Sequence, residues 1–152
     1  MTVKTNMIKD FAEIGFTRLG NATKNLTEEQ LDWKSCDHAN TIRSILLHMS
    51  EELNVYLPKF LGTEPPKDWP KDYGTNKSWK LAKILKDIES GKRKYYAGLN
   101  KLTNEKIDEE VDAWAGKKPR VYYIMLMTTE ITHHEGQIAA ILGIDKRIKG
   151  IK

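Results

Sequence analysis

The sequence predicts an all-α fold, a four-helix bundle with at least one long connection. Three observations carry this. Four segments repeat apolar residues at steps of three and four. Capping signals stand before two of the helical segments. No pair of runs alternates as a strand pair would.

The first helix is expected over residues 3–25, where Ile8, Phe11, Ala12, Gly15, Leu19 and Ala22 fall on one face. Thr27-Glu28-Glu29-Gln30 has the form of a capping box and predicts a short helical turn before Leu31 and Trp33. Residues 41–61 give the clearest helix, with Ile42, Ile45, Leu46, Met49, Leu53, Tyr56, Leu57 and Phe60 in register. Asn40 can cap its start and Gly62 can end it. Residues 62–77 hold Pro65, Pro66, Pro70, Gly74 and Asn76 and predict a loop, which Trp69 and Tyr73 can fold back over the bundle. The third helix spans 78–102 on Leu81, Leu85, Ile88, Tyr95, Leu99 and Leu102, with Gly91 weakening its middle. Residues 103–118 connect it, with a short turn around Ile107 and Val111, to a fourth helix from about Arg120 to Leu142 that stops at Gly143. Both long connections exceed what a tight helical hairpin needs, so a crossover is open.

The chain of 152 residues fits a single domain over 1–152 that can bury a substantial core. With 39% hydrophobic and 30% charged residues it reads as globular. No apolar run is long enough for a membrane span, and the first residues lack the pattern of a signal peptide, so a cytoplasmic protein is expected. The single Cys36 cannot form an internal disulfide and reads as a packed or surface residue. Net charge is +4 and the isoelectric point about 9.0. Yet basic and acidic residues are interspersed. The clusters Lys117, Lys118, Arg120 and Lys146, Arg147, Lys149, Lys152 read as solvated surface, so nucleic acid is not expected as a partner.

Helix geometry sorts the four histidines, His38, His48, His133 and His134. With about 100° per residue and Ile124 as zero, Ile131, Ile138 and Leu142 fall near one line. His134 lies at about 280°, inside the inward sector with Met127 and Ile141, and Glu130 at about 240° on its edge. His133, near 180°, points elsewhere. Glu130 and His134 are thus an i,i+4 pair, and His48 borders the apolar stripe of the second helix between Ile45 and Glu52. If those helices are neighbours, His48, Glu130 and His134 can hold a divalent metal such as zinc with one position open. Two imidazoles and a carboxylate are also the ligand set of non-haem iron. On spacing alone the simpler reading is a hydrogen-bonded helix pair and a satisfied boundary histidine.

Several neighbours stay open at this stage. Gln137 could bind a ligand or a water behind the metal, or be a surface amide. Gly136 would permit close helix packing. Glu52 could be a further ligand or a base, although a solvated helix glutamate is the plainer reading. Trp33 and Trp79 read as packing anchors, and Met125 and Met127 as gap-fillers.

Leu31-Asp32-Trp33, followed by Asn40-Thr41-Ile42-Arg43-Ser44-Ile45-Leu46-Leu47-His48, resembles the second-helix signature of the DinB-like superfamily. His134-Glu135-Gly136-Gln137-Ile138 is similar to its last-helix motif His-Arg-Gly-Gln-Ile. The resemblance implies a four-helix bundle, often dimeric, in which three histidines bind zinc or nickel. By position these fall on His48, Glu130 and His134, with Glu130 in place of a histidine and Glu135 in place of an arginine. It further implies metal-dependent chemistry on a low-molecular-weight thiol, as in thiol S-transferases and a thiol-dependent isomerase acting on a small electrophile. A non-catalytic metal-binding or stress-response homodimer, and a bundle without metal, are the alternatives.

Overall fold

A computed structural model describes residues 2–151; Met1 and Lys152, the last member of the basic C-terminal cluster, lie outside the described residues. Four rods dominate. They are α1 (Val3–Thr23), the continuous rod α3 (Ile42–Glu51) to α4 (Leu57–Leu61), α5 (Leu81–Lys101) and α7 (Arg120–Ile148). Two short helices, α2 (Glu28–Leu31) and α6 (Asn104–Asp108), sit in the connections. Each start has a local cause. Thr2, Thr27 and Thr41 form capping boxes with Thr5, Gln30 and Ser44, so the cap of α3 is Thr41, not Asn40. α5 has no cap of its own and begins at Leu81, whose N–H donates to the Glu28 carboxylate brought over by α2 (2.7 Å). Gly62, at φ 67°, ends α4 as expected.

The packing pairs fix the direction of each rod. Gly15 meets Ile131 and Thr132, and three residues on Arg18 pairs with Glu135, so α1 and α7 run parallel. His48 faces His134 while Phe60 stacks on Tyr123, so α3–α4 runs against α7. Leu53 lies on Gly91 and Leu61 on Gly98, so α3–α4 and α5 run the same way. The bundle is therefore up-down-down-up. Two like-directed neighbours need a connection that returns the length of a helix, roughly 30 Å, and residues 62–80 make it. Within it Trp69, Tyr73 and Trp79 stack in series. The buried Tyr73 hydroxyl donates to Asp87 (2.6 Å) and accepts from Ser50 (3.2 Å), which straps the crossover onto α3 and α5.

Three further expectations need correction. Residues 110–119 form a two-stranded antiparallel hairpin, β1 (Glu110–Ala113) with β2 (Gly116–Pro119). Gly-Lys-Lys-Pro has no apolar alternation to announce a strand, and the hairpin is held from outside: Trp114 packs on Phe60 and Tyr123. α7 does not stop at Gly143 but runs to Ile148, and Gly150 takes the left-handed conformation that closes it. An interior glycine costs about 1 kcal/mol, too little to end a helix that α1 and α3 hold over most of its length. Gly136 has nothing within 4 Å of where a Cβ would stand, so it permits no close packing; Gly91 does, since a Cβ there would lie 2.6 Å from the Cβ of Leu53.

The second rod is interrupted by a π-helical turn over Glu52–Tyr56, where Leu57 N–H reaches back five residues to Glu52 O. Pro58 follows immediately. A proline ring in a regular helix would collide with the carbonyl four residues earlier and leave it without a donor. Widening the turn relieves the collision. Asn54 Nδ2 donates to Ser50 O (2.9 Å) and to Asp87 O across on α5 (2.9 Å), which ties the widened turn to α5.

Candidate metal centre

The site forms where α3 passes α7. Among the described residues, one group offers metal-ligand atoms all within 4.8 Å of one another: His48, Glu52 and His134. His48 and Glu52 lie one turn apart, so helical periodicity sends both toward α7, and His48 Nε2 stands 3.2 Å from Glu52 Oε1. The two imidazoles meet edge to face with centroids 5.0 Å apart. His134 Nε2 lies 3.6 Å from Glu52 Oε2 and 3.7 Å from Glu130 Oε2. Its side chain is only 9% exposed, yet Nε2 has no hydrogen-bond partner. A buried nitrogen facing two carboxylates at distances too long for hydrogen bonds is anomalous for a closed polar cluster. It is ordinary for ligands around a cation, because two donors each about 2.0–2.1 Å from a tetrahedral ion stand roughly 3.3 Å apart. The donor set, two imidazoles with carboxylate oxygens, suits a borderline divalent ion. The residues present therefore fit a metal.

The structure brings together two of the three sequence-derived ligands as read, His48 and His134, and sets Glu130 at the side of the group, 32% exposed and touching only His134. Glu52, read from sequence as a solvated glutamate, is 12% exposed and bridges both imidazoles. The signal was available: it is four residues from His48 on the same face. The Glu52 carboxylate holds the His48 imidazole above its ordinary pKa, with Glu51 and Glu130 adding to the effect and burial opposing it. Gln137 does not face the cluster's centre; its Oε1 lies 2.9 Å from His134 Nδ1, behind the ligand nitrogen.

A cavity of about 290 Å³ opens beside the cluster, lined by Asn40, Ser44, Ile45, His48, His134 and Gln137. Two imidazoles of the cluster thus form one wall of a space large enough for a small molecule. On the far side of α7, Glu135 is buried and pairs with Arg18 of α1 (2.8 Å). Its departure from arginine in the last-helix motif therefore has its own local cation.

The family model of the DinB superfamily matches residues 13–138, which contain every residue of this site. The chain belongs to the DinB superfamily. Among solved structures, a conserved protein of Enterococcus faecalis has the same fold, with a TM-score of 0.75, 12% identity and coverage of 93% of this chain and 95% of that one. No curated protein matches the chain. The DinB assignment agrees with the motif resemblance and with the mostly helical architecture. It brings a superfamily associated with metals to the position where the buried, unpartnered His134 nitrogen stands. Among the described residues, no helix is long and apolar enough to cross a membrane.

Proposed function

We propose that this DinB protein is a divalent-metal-dependent enzyme that joins a low-molecular-weight thiol to a small electrophile. The observation that carries the reading is the buried, unpartnered Nε2 of His134, set against two carboxylates, on an imidazole that also walls a cavity. His48, His134 and Glu52 would hold the cation, with Glu130 as the flanking carboxylate. Zinc or nickel suits them best, and iron is a further candidate for a two-histidine, one-carboxylate set. A bound ion would lower the pKa of a thiol and fix its orientation. The cavity walls at Asn40, Ser44 and Ile45 would seat the thiol's remainder. Glu130, partly exposed beside His134, would accept the thiol proton. In a transfer the sulfur would form the new bond to the electrophile and the leaving group would depart with that proton; in an isomerisation the sulfur would add to the electrophile and the same carbon–sulfur bond would then break, releasing the isomer and returning the proton to the thiol.

Untagged protein should contain about one equivalent of metal. Glu52→Gln should lower the affinity for Co(II) by at least about tenfold, and Glu130→Gln should slow turnover with thiol and electrophile panels while changing affinity less. Absence of metal from protein purified with and without added zinc, nickel and iron would overturn the reading. A site saturated by four protein ligands, visible as a tetrahedral Co(II) spectrum unaltered by thiol, would favour the structural alternative.

Pairing of two copies belongs to the same proposal. Apolar residues are left over on α1, at Val3, Met7, Phe11 and Ile14, and beside them on α7, at Tyr122, Met125 and Leu126. Exposed Asp10 and Arg18 flank Ile14 by one turn on either side. A two-fold axis near Ile14 would therefore set the carboxylate of one copy opposite the guanidinium of the other. Sedimentation of a dimer that Ile14→Glu converts to monomer supports this; a wild-type monomer at 100 µM, taken as roughly the weakest useful affinity, refutes it.

A further inference from the structure

His133, which points away from the cluster, is nonetheless tied to it. Gln137 lies one turn beyond both histidines, and its amide spans them: Oε1 is 2.9 Å from His134 Nδ1 and Nε2 is 3.1 Å from His133 Nε2. An amide has one accepting end and one donating end. With Oε1 toward His134, that imidazole must carry its proton on Nδ1 and donate it. With the NH2 toward His133, His133 Nε2 must accept, so its own proton sits on Nδ1. A neutral His134 protonated at Nδ1 presents Nε2 as a bare lone pair. That is the nitrogen found buried, without a hydrogen bond, facing Glu52 and Glu130.

We infer that Gln137, held in register by His133, is the positioning residue that fixes His134 as the Nδ1–H tautomer and so keeps its Nε2 free as a ligand. Both residues act through His134 and neither touches the cation. The inference rests on the metal reading only for its purpose. The tautomer itself is a property of the protein without metal.

That separates the tests. In metal-free, histidine-labelled protein above pH 8, long-range proton–nitrogen correlation spectra should show His134 protonated at Nδ1. Gln137→Leu should shift it toward a mixture of tautomers, and Gln137→Glu, whose carboxylate can only accept, should restore Nδ1–H. His133→Ala should give an intermediate mixture, because the amide is then free to flip. Titration with Co(II) should show about 10–100-fold weaker binding for Gln137→Leu, with Gln137→Glu close to wild type. Thermal midpoints identify any variant that merely fails to fold, and in that event the wild-type spectrum alone decides. His134 protonated at Nε2 in the wild type, or a tautomer indifferent to Gln137→Leu in folded protein, overturns the inference. Failure of wild-type protein to bind Co(II), with the tautomer as stated, overturns the metal reading alone.

Discussion

Gly91→Ala adds one methyl group at the point where α5 crosses the π-helical turn. In an exposed helix interior this change is stabilising by about 1 kcal/mol. Here the new Cβ would stand 2.6 Å from Leu53 Cβ and 2.9 Å from Asn54 Nδ2. Ordinary carbon contacts are about 3.5–4.0 Å, so the rods must separate locally by roughly 1 Å. Both obstacles are rigid: Leu53 meets the methyl at its own Cβ, and Asn54 is pinned by Ser50 O and Asp87 O. Overpacking of this kind costs about 1–3 kcal/mol, and each strained hydrogen bond about 1 kcal/mol more. Against the propensity gain, the net is a destabilisation of about 2–4 kcal/mol, or a Tm lower by about 4–16 °C for a chain of this length. Leu53 and Asn54 follow Glu52 directly, so the displacement should also weaken Co(II) binding. Calorimetry and Co(II) titration of the same preparation measure both. An unchanged or raised Tm would refute the close-approach reasoning. A lowered Tm with unaltered Co(II) affinity would sever the link between the π turn and the site.

Gly136→Ala is the matched control: it is an exposed helical position with nothing within 4 Å, so a Tm raised by a few degrees is expected by calorimetry. The Arg43 guanidinium, buried and bonded to Asp32 through Nε (2.8 Å) and Nη2 (2.9 Å), holds the Asp32 carboxyl below its usual range, with partial burial opposing. A carboxyl depressed in the folded state contributes stability above its unfolded pKa, about 3.9, and loses it as pH falls through the lower folded value. Urea unfolding of wild type and Asp32→Asn should therefore differ by a constant amount above about pH 5 and converge in stronger acid; a gap that widens on acidification would contradict this.

The four rods were legible because each keeps its apolar spacing, and Gly62 and the Thr27–Gln30 capping box mark two ends by local chemistry alone. The crossover strap was legible from Tyr73 and the tryptophans around it. The direction of the rods was not, because nothing in a helix's own sequence says which neighbour it lies beside. That information sits in Gly91, which read locally as a defect, and in Gly98; both become close approaches only once the second rod and α5 are placed side by side. The hairpin was hidden for a similar reason: its second strand is polar, and Trp114 is held by Phe60 from a distant rod.

The choice of carboxylate shows most plainly where sequence reasoning stops. Glu130 and Glu52 are symmetric on paper, each four residues from a histidine. What separates them is the seam between antiparallel helices. Glu52 is carried on α3 into the contact with α7, where it reaches both imidazoles, while Glu130 sits on the outer edge of α7 and reaches only the histidine one turn ahead of it. Pro58 gave a further hint. A proline inside an otherwise regular stripe leaves the carbonyl four residues earlier, here at Asn54, without its donor, and the π turn that accommodates this begins at Glu52. A widened turn opening on a candidate ligand is how a helix commonly adapts its backbone at a functional site. The proline, the asparagine that ties the widened turn to α5 and the glycine that makes room for it form one device that shapes the α3 rod directly behind Glu52.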